Sequence, residues 1–157
     1  MLIRDIEIRP LTEDDLGFLV EVRNECRHLL HDDREFTLEE ATSWFRLKVS
    51  EYYIIRCKGE KCGYFRTSNA DLDNETIWIG ADLHPDFRGR GIAKMAYPLF
   101  LNLMNTMGFY RFVLEVLEFN SIALGLYRKI GFREVERKEL SRGVSIRMEL
   151  EWPQRTT

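Results

Sequence analysis

The spacing of apolar and polar residues predicts a chain in which helices and strands follow one another. At the N-terminus, Ile3, Ile6 and Ile8 are separated by charged residues, which is typical of a half-buried strand. Residues 12–15 and 37–40 have the pattern of a helix capping box, so a helix is expected after each. The first of these helices is expected to present one side made of Leu16, Leu19, Val20, Arg23 and Cys26.

The same alternation continues to the C-terminus. Further strands are predicted at residues 52–56, 63–67, 76–83, 111–117, 133–139 and 144–152. Two later helices are predicted to end near Met107 and Ile130, and Pro98 is expected to kink the first of them. The resulting order, βααβββαβαββ, indicates an α/β fold in which one mixed sheet contains a single right-handed βαβ crossover.

Length and composition favour one globular domain over residues 1–157. Apolar residues make up 45% of the chain and include ten Phe, six Tyr and three Trp, which excludes a disordered protein. No apolar run approaches the ~20 residues of a membrane span, so no membrane partner is expected. The charged N-terminal strand does not have the pattern of a signal peptide, and a cytoplasmic location is expected.

The charge is distributed unevenly along the chain. The net charge of −3 argues against a nucleic-acid partner. Residues 1–40 carry five basic and twelve acidic side chains, a balance of −7, whereas residues 76–157 have a balance of +3. This distribution suits a protein that meets a cation at one end and an anion at the other, although two solvated faces would produce the same pattern.

The three cysteines give no sign of a metal site. Cys57 and Cys62 flank a turn at Lys58-Gly59 and could face each other across a hairpin. Because no secretory signal precedes them, we expect reduced thiols rather than a disulfide. No Cys-x-x-Cys pair or histidine cluster is present, so no metal is expected.

A glycine-rich turn joins the predicted strand 76–83 to the long helix. It consists of Arg88, Gly89, Arg90, Gly91, Ile92, Ala93 and Lys94. Glycine lets a ligand approach the backbone closely, and the free N–H groups and dipole of a helix N-terminus favour an anion. Two arginines add positive charge, so the turn predicts a polyphosphate ligand.

Two well-known phosphate loops do not fit this turn. The chain lacks Gly-x-x-x-x-Gly-Lys-Ser/Thr, and a dinucleotide fingerprint would need glycine where Lys94 stands. The pattern Arg/Gln-x-x-Gly-x-Gly/Ala fits instead, through Arg88, Gly91 and Ala93. A second motif follows downstream: Leu-Glu-Val at 114–116, then Asn120 and the string SIALGLYRKIGF at 121–132.

Together the two motifs resemble the GCN5-related N-acetyltransferases. The resemblance is strong over residues 76–133 and looser before them. It implies a splayed mixed sheet with flanking helices and a βαβ unit at its centre. It also implies acetyl-CoA as co-substrate, with its pantetheine arm between strands 76–83 and 111–117. Gly80, inside the first of these strands, independently predicts a bulge or a close backbone approach.

The resemblance assigns residues to the cofactor. Backbone groups of Ala81 and Leu83 are expected to bond pantetheine, and Arg88 and the backbone from Gly89 to Lys94 to hold the pyrophosphate. Asn120 is expected to cap the helix that follows it and also to contact the cofactor.

Two residues are catalytic candidates. The family places a tyrosine at the position of Tyr127 near the cofactor sulfur, where its hydroxyl protonates the leaving thiolate. Without the motif, a core aromatic would be the simpler interpretation. Glu115 interrupts an apolar strand, and a buried carboxylate needs a reason. It is either the base that deprotonates the amine or a carboxylate held by a neighbouring Arg or backbone group, with Asp82 and Glu75 as weaker alternatives for the base.

We therefore expect an N-acetyltransferase that acts by direct transfer in a ternary complex, as a monomer or homodimer and without a cysteine nucleophile. In the family, the first two helices and their loop border the acceptor. Here the loop at 31–35 and Glu21 and Glu25 predict a negative pocket for a small-molecule or peptide amine. Candidate acceptors are a cationic small molecule, an amino sugar or a protein N-terminus. The alternatives are a non-catalytic acyl-CoA sensor of the same fold and an unrelated phosphate-binding protein.

Overall fold

The computed structural model describes residues 2–48 and 50–154. Their helices and strands follow the predicted order: β1 (Ile6–Pro10), α1 (Leu16–Cys26), α2 (Leu38–Leu47), β2 (Glu51–Cys57), β3 (Glu60–Asp71), β4 (Thr76–Leu83), α3 (Ile92–Thr106), β5 (Arg111–Leu117), α4 (Ser121–Ile130), β6 (Arg133–Leu140) and β7 (Gly143–Glu151). The strands form one mixed sheet in the order β1-β2-β3-β4-β5-β7-β6. The predicted fold class, α/β with one βαβ crossover, is confirmed.

Some local expectations need correction. The first strand begins at Ile6, because Ile3–Asp5 forms a 3₁₀ turn. β3 continues to Asp71, so the turn before β4 is shorter than predicted. The helix α3 continues through Pro98, so the proline does not end it, and the expected kink stays a prediction. On α1, Val22 is buried where Val20 was expected, while the other four predicted residues are buried.

The sheet opens between β4 and β5. These strands pair in parallel only from Thr76 to Trp78, opposite Arg111 to Val113. Beyond Trp78, β4 stays paired with β3 whereas β5 continues along β7. The predicted splay is therefore present, and it leaves one edge of β4 unpaired from Ile79 onward.

Gly80 lies in this open segment but does not form a bulge. The β3–β4 register is unbroken around it and pairs Gly80 with Arg66. The nearest neighbour is a side chain, since a Cβ atom at Gly80 would lie 3.3 Å from Nη2 of Arg66, and the close approach of a ligand to this backbone stays a prediction. Glycine here makes room for an arginine side chain that crosses the strand.

Helices cover both faces of the sheet. α3 and α4 bury one face, where Phe65 of β3 stacks on Phe100 of α3 with ring centroids 4.1 Å apart. α1 and α2 bury the other face against Ile54 and Tyr64. Both predicted capping boxes are formed, at Thr12 and at Thr37. Cys57 and Cys62 are buried and are not joined by a disulfide. None of the described helices is both long enough and apolar enough to cross a membrane.

A buried carboxylate fixes the start of α1 to the sheet. The side chain of Asp15 is 2% exposed and lies 2.7 Å from Nη1 of Arg9 on β1 and 2.7 Å from Nζ of Lys61 on β3. It also accepts a 2.8 Å hydrogen bond from the backbone N–H of Thr12. The hydrogen bond from Arg9, followed by those from Lys61 and Thr12, outweighs the effect of burial and lowers the pKa of Asp15 far below its ordinary value.

Replacing this carboxylate should be costly, because two cations then lose a buried partner. We expect Asp15→Asn to lower the free energy of unfolding by about 3 kcal/mol. The depressed pKa of Asp15 means that its stabilisation is present above the unfolded-state pKa of ~3.9 and is lost as pH falls below it. Denaturant titrations from pH 7 to pH 3 should therefore show a weaker loss of stability on acidification in the variant.

The matched control is Glu13→Gln, which removes an exposed carboxylate paired with Arg46 at 3.2 Å. Its effect should stay within about 0.5 kcal/mol. Equal losses for the two variants would contradict a structural role for Asp15.

Candidate active site

Two clefts, each of about 390 Å³, meet where β4 and β5 separate. The first, the loop cleft, lies between the loop at residues 29–32 and the strands β3, β4 and β5. The second, the helix cleft, lies between the end of β4 and the first turns of α3 and α4. Five residues line both clefts and define their junction: Leu29, Ala81, Asp82, Asn120 and Tyr127. A ligand in one cleft can therefore meet a ligand in the other only at this junction.

The glycine turn is held open at the mouth of the helix cleft. Gly89 and Gly91 have φ values of +75° and +76°, and no described atom lies within 4 Å of where their Cβ atoms would be. Gly91 is the N-cap of α3, so the unpaired N–H groups of its first turn follow directly. Of the predicted turn residues, Arg88 and Ala93 line the helix cleft.

The remaining side chains of the turn have other surroundings. Ile92 is buried in the core at 1% exposure and anchors the turn. Arg90 lies over the ring of Phe87 at 5.3 Å, and Lys94 is exposed. The side chains of these three residues do not line the helix cleft, and contact of their backbone with a ligand stays a prediction.

Tyr127 is both a core aromatic and a junction residue. Its side chain is buried against Tyr97 and Phe132. The hydroxyl of Tyr97 donates a 3.3 Å hydrogen bond to the hydroxyl of Tyr127. Burial raises the pKa of Tyr127, which keeps its hydroxyl protonated at neutral pH. The sequence motif did not indicate Tyr97.

Asn120 caps α4 as expected. Its Oδ1 accepts a 3.4 Å hydrogen bond from the N–H of Ala123. Asn120 and Tyr127 line the same two clefts, as their seven-residue spacing predicts.

Glu115 is exposed rather than buried, because β5 has lost its β4 neighbour at this point. It lines the loop cleft but not the junction. Its carboxylate accepts a 3.2 Å hydrogen bond from the hydroxyl of Ser145 and lies 3.5 Å from Nη2 of Arg147. The expectation of a buried carboxylate is wrong here, and the partners are those of the ion-paired alternative.

Of the two carboxylates Glu115 and Asp82, Asp82 has the environment that better suits a base. It lies at the junction and accepts a 2.5 Å hydrogen bond from the hydroxyl of Tyr64. Burial raises its pKa and outweighs the opposing effects of the Tyr64 hydrogen bond and of Arg66 and Arg23. Glu75, the other alternative, lies in the turn before β4, at the end of that strand away from the junction.

The acidic residues expected to border the loop cleft are mostly held elsewhere. Glu21 lies 3.3 Å from Nε2 of His84, and Asp33 lies 2.7 Å from Nη1 of Arg142. Asp32 does line the cleft, but its carboxylate is 2.9 Å from Nη2 of Arg34. The predicted negative border is therefore wrong in detail, since the cleft also presents Arg23 and Arg66.

The C-terminal hairpin fastens the loop over this cleft. Arg142, between β6 and β7, donates to the carbonyl oxygens of Leu30 at 3.0 Å and His28 at 2.9 Å. His31 Nε2 lies 2.8 Å from the hydroxyl of Ser145 on β7. Residues 28–31 and the C-terminal hairpin, which lie far apart in the sequence, therefore together cover the loop cleft. We call this cover the roof of the loop cleft.

Cys26 lies in the helix cleft, which the sequence did not predict. Its thiol donates to the carbonyl oxygen of Leu83 at 3.3 Å, and Nη2 of Arg88 lies 3.0 Å from its sulfur. Burial raises the pKa of this thiol to about 11, so it stays protonated at neutral pH and is a poor nucleophile. Within the described residues, no group of three or more His, Cys, Asp or Glu side chains is arranged to hold a metal ion.

The chain is similar to known proteins both in sequence and in fold. Residues 5–133 match the model of the acetyltransferase (GNAT) domain. Spermidine N(1)-acetyltransferase of Escherichia coli (strain K12) is 22% identical over 134 residues, which cover 81% of this chain and 72% of that protein.

Two solved structures share the fold. A chimera of the spermidine N-acetyltransferase SpeG from Vibrio cholerae and hSSAT superposes with a TM-score of 0.84 at 16% identity, covering 94% of this chain and 95% of the other. RimL, a ribosomal α-N-protein acetyltransferase in complex with coenzyme A, gives a TM-score of 0.80 at 16% identity, with 94% of each chain covered.

Proposed function

The chain belongs to the acetyltransferase (GNAT) domain family, and from this premise we propose that it transfers the acetyl group of acetyl-CoA directly to a primary amine. The observation that carries the proposal is the junction of two clefts at the β4–β5 splay, lined by Tyr127 and Asp82. Each cleft would hold one of the two substrates, and the junction would bring an acid and a base to the point where the substrates meet.

The helix cleft suits acetyl-CoA. From Ile79 to Leu83, the edge of β4 that faces β5 lacks a strand partner, and backbone groups need one. We infer that Ala81 and Leu83 bond the pantetheine amides there. The pyrophosphate then lies against the backbone from Gly89 to Lys94 and beside Arg88, where N–H groups, helix dipole and guanidinium all favour an anion. Asn120 borders the sulfur end from α4.

The loop cleft then receives the amine, which must lose a proton because an ammonium nitrogen has no lone pair. We infer that Asp82, more basic than an ordinary carboxylate, takes this proton at the junction. As the nitrogen bonds to the acetyl carbon and the carbon–sulfur bond breaks, Tyr127 donates its hydroxyl proton to the departing sulfur, and the surplus proton on the product nitrogen then returns to the Tyr127 phenolate to leave the neutral amide. Tyr97, which donates to the Tyr127 oxygen, stabilises the phenolate left behind.

The first prediction tests whether the backbone of the glycine turn binds acetyl-CoA. Gly91→Val places a branched side chain at φ +76° where the phosphates approach, so we expect the Kd for acetyl-CoA to rise by at least about a hundredfold. Arg90→Ala removes only an exposed charge and should raise the Kd by less than about tenfold. Titration calorimetry measures both.

Gly17→Val is the matched control, since Gly17 lies on α1 with ordinary φ and no described atom within 4 Å of its Cβ position. It should bind acetyl-CoA normally. Wild-type affinity in Gly91→Val would refute the assignment of the turn.

The second prediction tests the function through Tyr127. Thiol release from acetyl-CoA is measured against a panel of amines, and acetylated products are identified by mass spectrometry. Tyr127→Phe keeps the ring but loses the proton donor, so kcat should fall by at least about tenfold while the Kd for acetyl-CoA stays unchanged.

Tyr53→Phe, at a buried tyrosine outside both clefts, should leave kcat unchanged. Full kcat in Tyr127→Phe with a rate-limiting chemical step would make Tyr127 a core aromatic only. Tight acetyl-CoA binding without release of thiol for any amine would instead identify a sensor.

The third prediction separates the two carboxylates by pH. In the wild type, kcat/KM should fall as pH drops through the raised pKa of Asp82, because the protonated base cannot accept the amine proton. Asp82→Asn should lose at least about a hundredfold at pH 7 and recover toward pH 10, where the free amine forms unaided. Glu115→Gln should keep the wild-type profile. If Glu115→Gln showed the loss at pH 7 with recovery toward pH 10, and Asp82→Asn kept the wild-type profile, Glu115 would be the base.

A further inference from the structure

We propose that the amine acceptor also carries an oxyanion, a phosphate or carboxylate group, and that Arg66 binds it in the loop cleft. This inference rests on the proposed acetyl transfer and names the class of its acceptor. It follows from the two arginines that line the cleft, neither of which forms an ion pair within 4 Å among the described residues, and from their position relative to Asp82.

Arg66 is an exposed arginine on β3 whose guanidinium crosses the open strand at Gly80. Among the described residues, no carboxylate lies within 4 Å of it. Three further arginines around the cleft are ion-paired: Arg34 with Asp32, Arg142 with Asp33 and Arg147 with Glu115. Arg66 is thus the exposed cation of the cleft that has no ion-pair partner among the described residues and is accessible to a ligand.

A second positive charge lies behind it. Arg23 of α1 is only 9% exposed, and its guanidinium lies 3.9 Å from the ring centre of Phe36. It donates to the carbonyl oxygens of Asp32 and Arg34, not to a carboxylate. Because these partners are neutral, they do not cancel the positive charge of Arg23. The positive potential that results favours an anion in this part of the cleft.

The strand register separates the two ends of the acceptor. Asp82 pairs with Tyr64 and Gly80 with Arg66, so these pairs are adjacent rungs on one face of the β3–β4 ladder. Two residues along a strand span about 7 Å. The cleft therefore places a carboxylate at the junction, where the amine reacts, and a guanidinium about one rung away.

A polyamine fits this arrangement poorly. Beside Arg66 and Arg23 its second ammonium group would meet like charges, which repel. The other two carboxylates that line the cleft, Asp32 and Glu115, are already ion-paired with Arg34 and Arg147. An amine with an oxyanion a few bonds away satisfies both ends, through Asp82 and Arg66 respectively. The acceptor class therefore differs from that named in the spermidine acetyltransferases to which the chain is similar.

The test uses pairs of acceptors that differ only in the anionic group. Glucosamine 6-phosphate is compared with glucosamine, γ-aminobutyrate with n-butylamine, and spermidine is added as the dication. In the wild type, kcat/KM for the anionic member of at least one pair should exceed that of its partner and of spermidine by at least about tenfold. The phosphate and carboxylate arms identify which oxyanion is preferred.

Arg66→Gln should bring the ratio within that pair close to one without changing the Kd for acetyl-CoA, and Arg66→Lys should restore part of it. Lys138→Gln, at an exposed cation on β6, should leave the ratio unchanged. A preference for spermidine or for the neutral amines, or an equal effect of Arg66→Gln on both members of the pair, would overturn the proposal.

Direct binding separates this inference from the proposed function. With coenzyme A saturating the helix cleft, calorimetry should detect glucosamine 6-phosphate or γ-aminobutyrate, and Arg66→Gln should weaken that binding by at least about tenfold. Such binding without thiol release would refute acetyl transfer while supporting oxyanion recognition. Thiol release that ignores Arg66 would refute the recognition while supporting the transfer.

Discussion

The separation of β4 from β5 after Trp78 is the constraint on which the rest of the site depends. A parallel pair that continued for the whole length of both strands would close the sheet and remove both clefts. Because the pair ends early, the edge of β4 needs new hydrogen-bond partners, and the facing side of β5 is open at Glu115. The helices α3 and α4 converge on the same gap with their N-termini, which is why a turn suited to an anion and a buried tyrosine pair border it together.

Much of this arrangement can be predicted from local sequence. Capping boxes, turn residues and apolar periodicity act over a few positions, so the order of elements and both helix starts at Thr12 and Thr37 follow from the chain directly. The splay itself was expected from the family resemblance and from Gly80. What the glycine accommodates was not, because Arg66 reaches it from a neighbouring strand and only the register reveals that contact.

The electrostatics of the site illustrate the same limit. Counting acidic residues in the first forty positions suggested a negative pocket, yet Asp32 and Asp33 are ion-paired with Arg34 and Arg142, and Glu21 lies against His84. Two of these partners lie far along the chain, and no periodicity connects them with the loop. Likewise Glu115 and Asp82 are both acids on predicted strands, and they differ only in what surrounds them: Arg147 and Ser145 for one, Tyr64 and burial for the other.

The roof of the loop cleft has a consequence for the order in which the protein is completed. Its loop belongs to the first quarter of the chain, but Arg142 and Ser145, which fasten it, come from the final hairpin. During translation, the residues that line the helix cleft are therefore synthesised before Arg142 and Ser145, which hold the loop in place over the loop cleft. The loop cleft is finished last, so a chain that lost its terminal hairpin would lose the roof over that cleft while retaining every residue of the glycine turn.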